Sequence, residues 1–165
     1  VRRQEEIIWI REQGFHHVVS LSVSPHNLHN YDELGVAWVH RPFPRHDDQP
    51  RFLQAVYQDL KAHIAAGHKV LFHQEEVSDL LVGLMAGYVV WAGLIAETHK
   101  ATSVTEQIVG RRLGPRGRDL VGIAVNLRDN PLPPRVAPDE VDDDGDATRG
   151  QDAAVEEPPT ATDEG

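Results

Sequence analysis

The chain has 165 residues, 40% of them hydrophobic, a formal charge of −10 and no cysteine. That is enough for one domain with its own core, and it excludes disulfides, thiolate metal sites and a cysteine nucleophile. The charge is uneven: residues 1–128 balance 14 Lys/Arg against 14 Asp/Glu, whereas residues 129–165 set Arg135 and Arg149 against 12 acids and so carry the whole −10.

The first predicted element is an amphipathic helix over 3–13, with Ile7, Ile8 and Ile10 among charges and Gly14 as its stop. It does not read as a signal peptide. A β-branched strand follows at 16–23, then a polar loop at 24–30, a helical turn at 31–35 and a second strand at 36–43. The loop 44–50 is dense in Pro and Asp. Residues 51–66 place Phe52, Leu53, Val56, Leu60 and Ile64 at helical spacing, and Gly67 closes them. The third strand is 69–73, "KVLFH". A long apolar helix is predicted over 79–97, a helix with a Ser103/Glu106 capping box over 103–114, and a last helix over 117–128. Strands alternating with helices predict an α/β fold with a mainly parallel sheet.

The run "LLVGLMAGYVVWAGLIA" (80–96) is near the lower length limit for a membrane span. It directly follows a buried strand, and its flanks carry no strong positive bias. It is therefore expected to be the buried central helix, with no membrane contact. The tail 129–165 lacks large apolar residues and is expected to be a disordered acidic tail. Its charge argues against nucleic acid as a partner. The lack of cysteine fits a reducing compartment, so the expected location is cytoplasmic.

The loop after the third strand is unusual. In "KVLFHQEEVSDLL" (69–81) a strand runs into a helix start, where free N–H groups favour an anion. Yet Glu75, Glu76 and Asp79 stand there. The order of elements over residues 3–125 resembles the dual-specificity branch of the protein tyrosine phosphatases. "WIREQGFHHVVSLS" is similar to that family's opening helix and strand. "YDELGVAWVHRPFPRHDD" is similar to its turn, strand and acid loop, and "FLQAVYQDLKAHIAAGHKVLFH" to the helix and strand leading to its active-site loop. "SVTEQIVGRRLGPRG" resembles its downstream helix. The resemblance implies a three-layer fold, a mainly parallel central sheet flanked by helices, and no cofactor. The family usually has a strand or hairpin before its first helix, and no such piece precedes residue 3 here.

The family's motif is HCxxGxxR. Aligned on His73, the cysteine position is Gln74, the glycine is Val77 and the arginine is Leu80. Gln cannot attack phosphorus. Leu removes the planar fork that grips two oxygens, and Val disfavours a tight N–H nest. Glu75 and Glu76 add like charge. No active catalytic or phosphate-binding residue is therefore expected. His73 would survive as loop support, and Asp47, with Asp48 second, as the retained acid-loop candidates. The alternative for these two acids is helix or turn capping.

Three functions compete. The first is a pseudophosphatase that binds or regulates a protein, with Arg111, Arg112, Arg116 and Arg118 as the surface a partner would meet. The alternative for this cluster is a helix end complementing the macrodipole. The second is a residual or metal-assisted hydrolase of the same class, in which Asp47, Asp48, Glu75 and Glu76, with His46 beside them, would gather a hard divalent cation. The third is a membrane-anchored protein, resting only on 80–96. The other histidines show no ligand spacing.

Overall fold

The computed structural model describes residues 2–25 and 28–135. The elements are α1 (Arg2–Glu12), β1 (His17–Ser20), α2 (His29–Glu33), β2 (Ala37–His40), a 3-10 turn (His46–Asp48), α3 (Gln49–Ala65), β3 (Val70–His73), α4 (Asp79–Trp91), α5 (Thr98–Val109) and α6 (Pro115–Asp129). The three strands form one parallel sheet in the order β2-β1-β3.

Strand alternation sorts side chains to two faces. Val18, Trp38 and Leu71 face one side, where α1 supplies Ile7 and Ile10, and α2 with its N-cap supplies Tyr31 and Leu28. Val19, Val39, Val70 and Phe72 face the other, the main core under α3, α4 and α6. The result is a three-layer α/β fold, as the sequence implies. All three strands point the same way, so their carboxyl ends open at one end of the sheet, where ligand sites of open α/β sheets form.

Helix α4 packs most extensively against α6, and the contact depends on glycine. A Cβ on Gly83 would stand 2.5 Å from Gly117 Cα, and one on Gly87 would stand 2.4 Å from the Tyr57 hydroxyl. That hydroxyl donates to the Leu84 carbonyl at 2.7 Å. Burial pushes the Tyr57 phenol far above its ordinary range, so it stays a neutral donor.

Several boundaries differ from the sequence reading. The apolar helix ends at Trp91, not 97. Gly93 adopts φ 73°, and the N–H groups of Gly93 and Leu94 return to the carbonyls of Val90 and Val89, which is a Schellman stop. Among the described residues no helix is long and apolar enough to cross a membrane. Helix α5 begins at Thr98, so Ser103 lies inside it and forms no capping box. Glu106 instead accepts from the Leu113 N–H at 3.3 Å.

The compact unit extends to Pro133, beyond the boundary expected at 128/129. Its last link is reciprocal: Gln54 Nε2 donates to the Leu132 carbonyl at 3.0 Å, and the Leu132 N–H donates to Gln54 Oε1 at 2.8 Å. Leu132 also packs against the main core. The expected tail from residue 136 onward, and His26, lie outside the described residues.

Candidate functional site

The site to examine is the loop from Gln74 to Ser78, which leaves β3 and opens α4. The carboxyl end of β1 lies beside it, with that of β2 one strand further on. Ser78 is the α4 N-cap, and its Oγ accepts the Leu81 N–H at 3.2 Å. The same hydroxyl donates to Gln74 Oε1 at 2.7 Å. The residue at the cysteine position thus serves to hold the helix cap.

Leu80, at the arginine position, is half-buried and packs against the main core. An apolar side chain here does what a core helix needs and leaves nothing to clamp an oxyanion. Val77 is 48% exposed, and its carbonyl accepts a hydrogen bond from the Arg111 guanidinium. Arg111 therefore braces this loop from the end of α5, where the sequence alone suggested a partner surface or a helix end complementing the macrodipole.

Asp79 accounts for one of the three acids. Its carboxylate accepts the Gly114 N–H at 2.6 Å and the Gly117 N–H at 2.8 Å. These donors lie at the N-cap and first turn of α6, which otherwise lack partners. Asp79 thus caps a helix 35 residues away, and its negative charge suits that helix's positive end. Glu75 and Glu76 are exposed. Among the described residues, the N–H groups of Glu75, Glu76 and Val77 donate to no acceptor. Side chains, more than the backbone, oppose an anion here.

The remaining candidates are scattered. His73 is exposed, and among the described residues its ring makes no hydrogen bond. The side-chain support expected of it is absent there; its carbonyl accepts the Leu21 N–H at 2.8 Å. Asp47 is fully exposed, with His46 Nδ1 3.9 Å from its carboxylate. Asp48 holds the N-cap position of α3 but makes no side-chain cap bond, and Pro50 occupies that helix's first turn. Among the described residues, no three His, Asp or Glu side chains are grouped to hold a metal ion. Asp47, Asp48, Glu75 and Glu76 therefore do not form the cation cluster that two facing acidic loops suggested.

Two features escaped the sequence reading. Ser20 and Ser22, at the carboxyl end of β1, are buried, and their hydroxyls find no partner among the described residues. His40 Nε2 meets the Ser22 carbonyl at 2.7 Å. The Ser78 cap had a sequence signal that was not used, a Ser just before an apolar run; its bond to Gln74 had none.

This arrangement can be set beside known proteins. The Tk-PTP structure in its active form aligns with a TM-score of 0.64 at 15% identity, over 74% of this chain and 86% of that one. The protein tyrosine phosphatase fold is thereby established for this chain. Human DUSP28 aligns at 0.60 and 14% identity, covering 78% and 86%. Kinase-associated phosphatase with its catalytic cysteine replaced by serine aligns at 0.63 and 13%, covering 76% and 75%. These identities speak for the phosphatase fold, including its dual-specificity form, and for nothing finer. No family model matches the chain, and no curated protein matches it. A phosphatase fold without a single cysteine fits an inactive form.

Proposed function

We propose that this chain is a catalytically silent phosphatase-fold domain that acts by binding or regulating another protein. One observation carries the reading: Gln74 stands at the nucleophile position and is bonded to the cap of α4, while Leu80 stands at the arginine position and packs into the core. A nucleophile and an anion clamp are the two parts phosphoryl transfer to an enzyme group requires. Here both positions are committed to holding the fold. The proposed location is the cytoplasm.

The proposed contact surface is the corner between α5 and α6. An open groove of about 450 Å³ lies there, lined by Glu106, Gln107, Arg111, Arg112 and Arg118. Arg112 and Arg116 are exposed and would meet an acidic partner.

The test has two arms. The wild type should hydrolyse no aryl phosphate above background and should give no heat on titration with vanadate. Gln74→Cys should also stay silent, because a thiol flanked by Glu75 and Glu76 is not helped to ionise. Vanadate binding at micromolar concentration, or turnover by Gln74→Cys, would show that the loop still cradles an anion. For the binding role, Arg112→Glu with Arg116→Glu should abolish capture of partners that the wild type retains.

A further inference from the structure

Four of the ten histidines meet at the amino end of the sheet. His16 and His17 stand at the start of β1, His63 lies in the last turn of α3, and His68 stands in the connection from α3 to β3. The His17 ring stacks on His63 with 4.5 Å between centres, and the His16 ring on His68 with 5.1 Å. All three strands run the same way, so this corner is at the opposite end of the sheet from the Gln74–Ser78 loop.

Two bonds in the corner need a bare ring nitrogen. The His16 N–H donates to the Lys69 carbonyl at 2.8 Å, and the Lys69 N–H donates in return to His16 Nδ1 at 2.9 Å. A protonated imidazole is a donor at both nitrogens and offers no acceptor, so the second bond exists only while His16 is neutral. His63 Nδ1 and His68 Nδ1 lie 3.1 Å apart. One donates and the other accepts, so the pair holds with no added proton or with one. The carboxyl end of α3 favours that first charge. A second proton sets two N–H donors face to face.

We propose that this corner is an acid-released clasp: with its acceptor nitrogens bare it fastens the α3–β3 connection to the start of β1, and protonation frees that connection while the carboxyl end of the sheet stays closed. The clasp is independent of the silent loop and of the function proposed for the chain.

The surroundings oppose charge here. Burial lowers the pKa of His17 from its ordinary 6.5, and the charges of His63, Arg41 and His68 lower it further; Asp59 acts the other way, but its carboxylate is already paired with Arg41. Lys69 brings another cation to the corner, with its Nζ held on the Gln13 carbonyl at 2.9 Å. A neutral His17 therefore belongs to the folded state. What it contributes is complete above pH 6.5 and is lost as the pH falls through the lowered value. A metal ion is not the ligand these rings suit. Face-stacked imidazoles do not aim their nitrogens at one point, and among the described residues no three such side chains are grouped to hold one.

Amide hydrogen exchange on the whole chain tests this. Between about pH 7.5 and about pH 5.5 the protection factor of the Lys69 N–H should fall about tenfold or more, because one imidazole that must stay neutral is worth a factor of about ten per pH unit below its titration. The Leu21 N–H, which donates to the His73 carbonyl at the other end of the sheet, should keep its protection within about twofold. Unchanged protection at Lys69 overturns the proposal, and so does an equal fall at both amides, which is acid unfolding of the whole domain. His16→Asn puts an amide oxygen, an acceptor that gains no proton, near the place of Nδ1. In that variant the fall at Lys69 should be several-fold smaller than in the wild type, and an undiminished fall overturns the role of His16. Where the variant does not fold, the two amides of the wild type decide the matter.

Discussion

Removing the Asp79 carboxylate should loosen α6 from α4 without touching any apolar contact. Asp79 accepts two backbone N–H groups at 2.6 and 2.8 Å, and one of these donors belongs to buried Gly117. A hydrogen bond to a charged group contributes about 1.5–3 kcal/mol, and a buried donor left unpaired costs about 1–3 kcal/mol. These overlap, and Asp79 is only half-buried, so Asp79→Ala is expected to cost about 3 kcal/mol in all. For a domain of this size that is a fall in Tm of roughly 10 °C. Asp79→Asn is the sharper variant. It keeps one acceptor oxygen but turns an NH₂ donor toward an N–H donor, so it should recover less than half of the loss. Urea unfolding reads both variants, with an unchanged m-value as the check that only stability has moved. If Asp79→Ala lies within about 1 kcal/mol of the wild type, or Asp79→Asn equals it, the carboxylate is not capping α6 and the account of this acid fails.

Gly83→Ala should destabilise by about 2 kcal/mol or more, because its Cβ would meet backbone at 2.5 Å and backbone cannot swing aside; a melt equal to the wild type would mean that α4 and α6 sit further apart. Tyr57→Phe removes the buried hydrogen bond to Leu84 and should cost about 1–2 kcal/mol by urea unfolding. Truncation after Asp129 should be less stable than truncation after Pro133 by about 1–3 kcal/mol, since only the shorter chain loses the reciprocal Gln54–Leu132 bonds and the Leu132 side chain; equal melts would place the domain boundary at the end of α6.

The parts of this fold that sequence reading recovered are those fixed by neighbours in the chain. Every strand was a short valine-containing run preceded by a glycine, and β1, β2 and β3 fall inside 16–23, 36–43 and 69–73. Helix α3 was set by the spacing of Leu53, Val56 and Leu60 and by Gly67. The misreadings lay at helix ends. At α4 the apolar run through Leu94 and Ile95 masked Gly93, whose positive φ ends the helix. At α5 the Ser103/Glu106 spacing looked like a capping box, but the helix already had a turn before it.

The candidate site was legible in what it lacks and illegible in what replaced it. Alignment on His73 locates Gln74, Val77 and Leu80, and from residue type alone each deletes one part of phosphoryl chemistry. No local rule says that Asp79 reaches Gly114 and Gly117, that Arg111 reaches the Val77 carbonyl, or that Leu80 faces the core, because each contact is made by elements far apart in sequence. These contacts change the meaning of the loop. A helix start offers free N–H groups, and a ligand, a cap or water must answer them. Gln74, Ser78 and Asp79 are bound up in capping two helices, and Arg111 ties the loop to the end of α5. Restoring an anion site would therefore take more than a nucleophile. It would need a cation at position 80, and that would draw a core side chain out of the layer between sheet and helices.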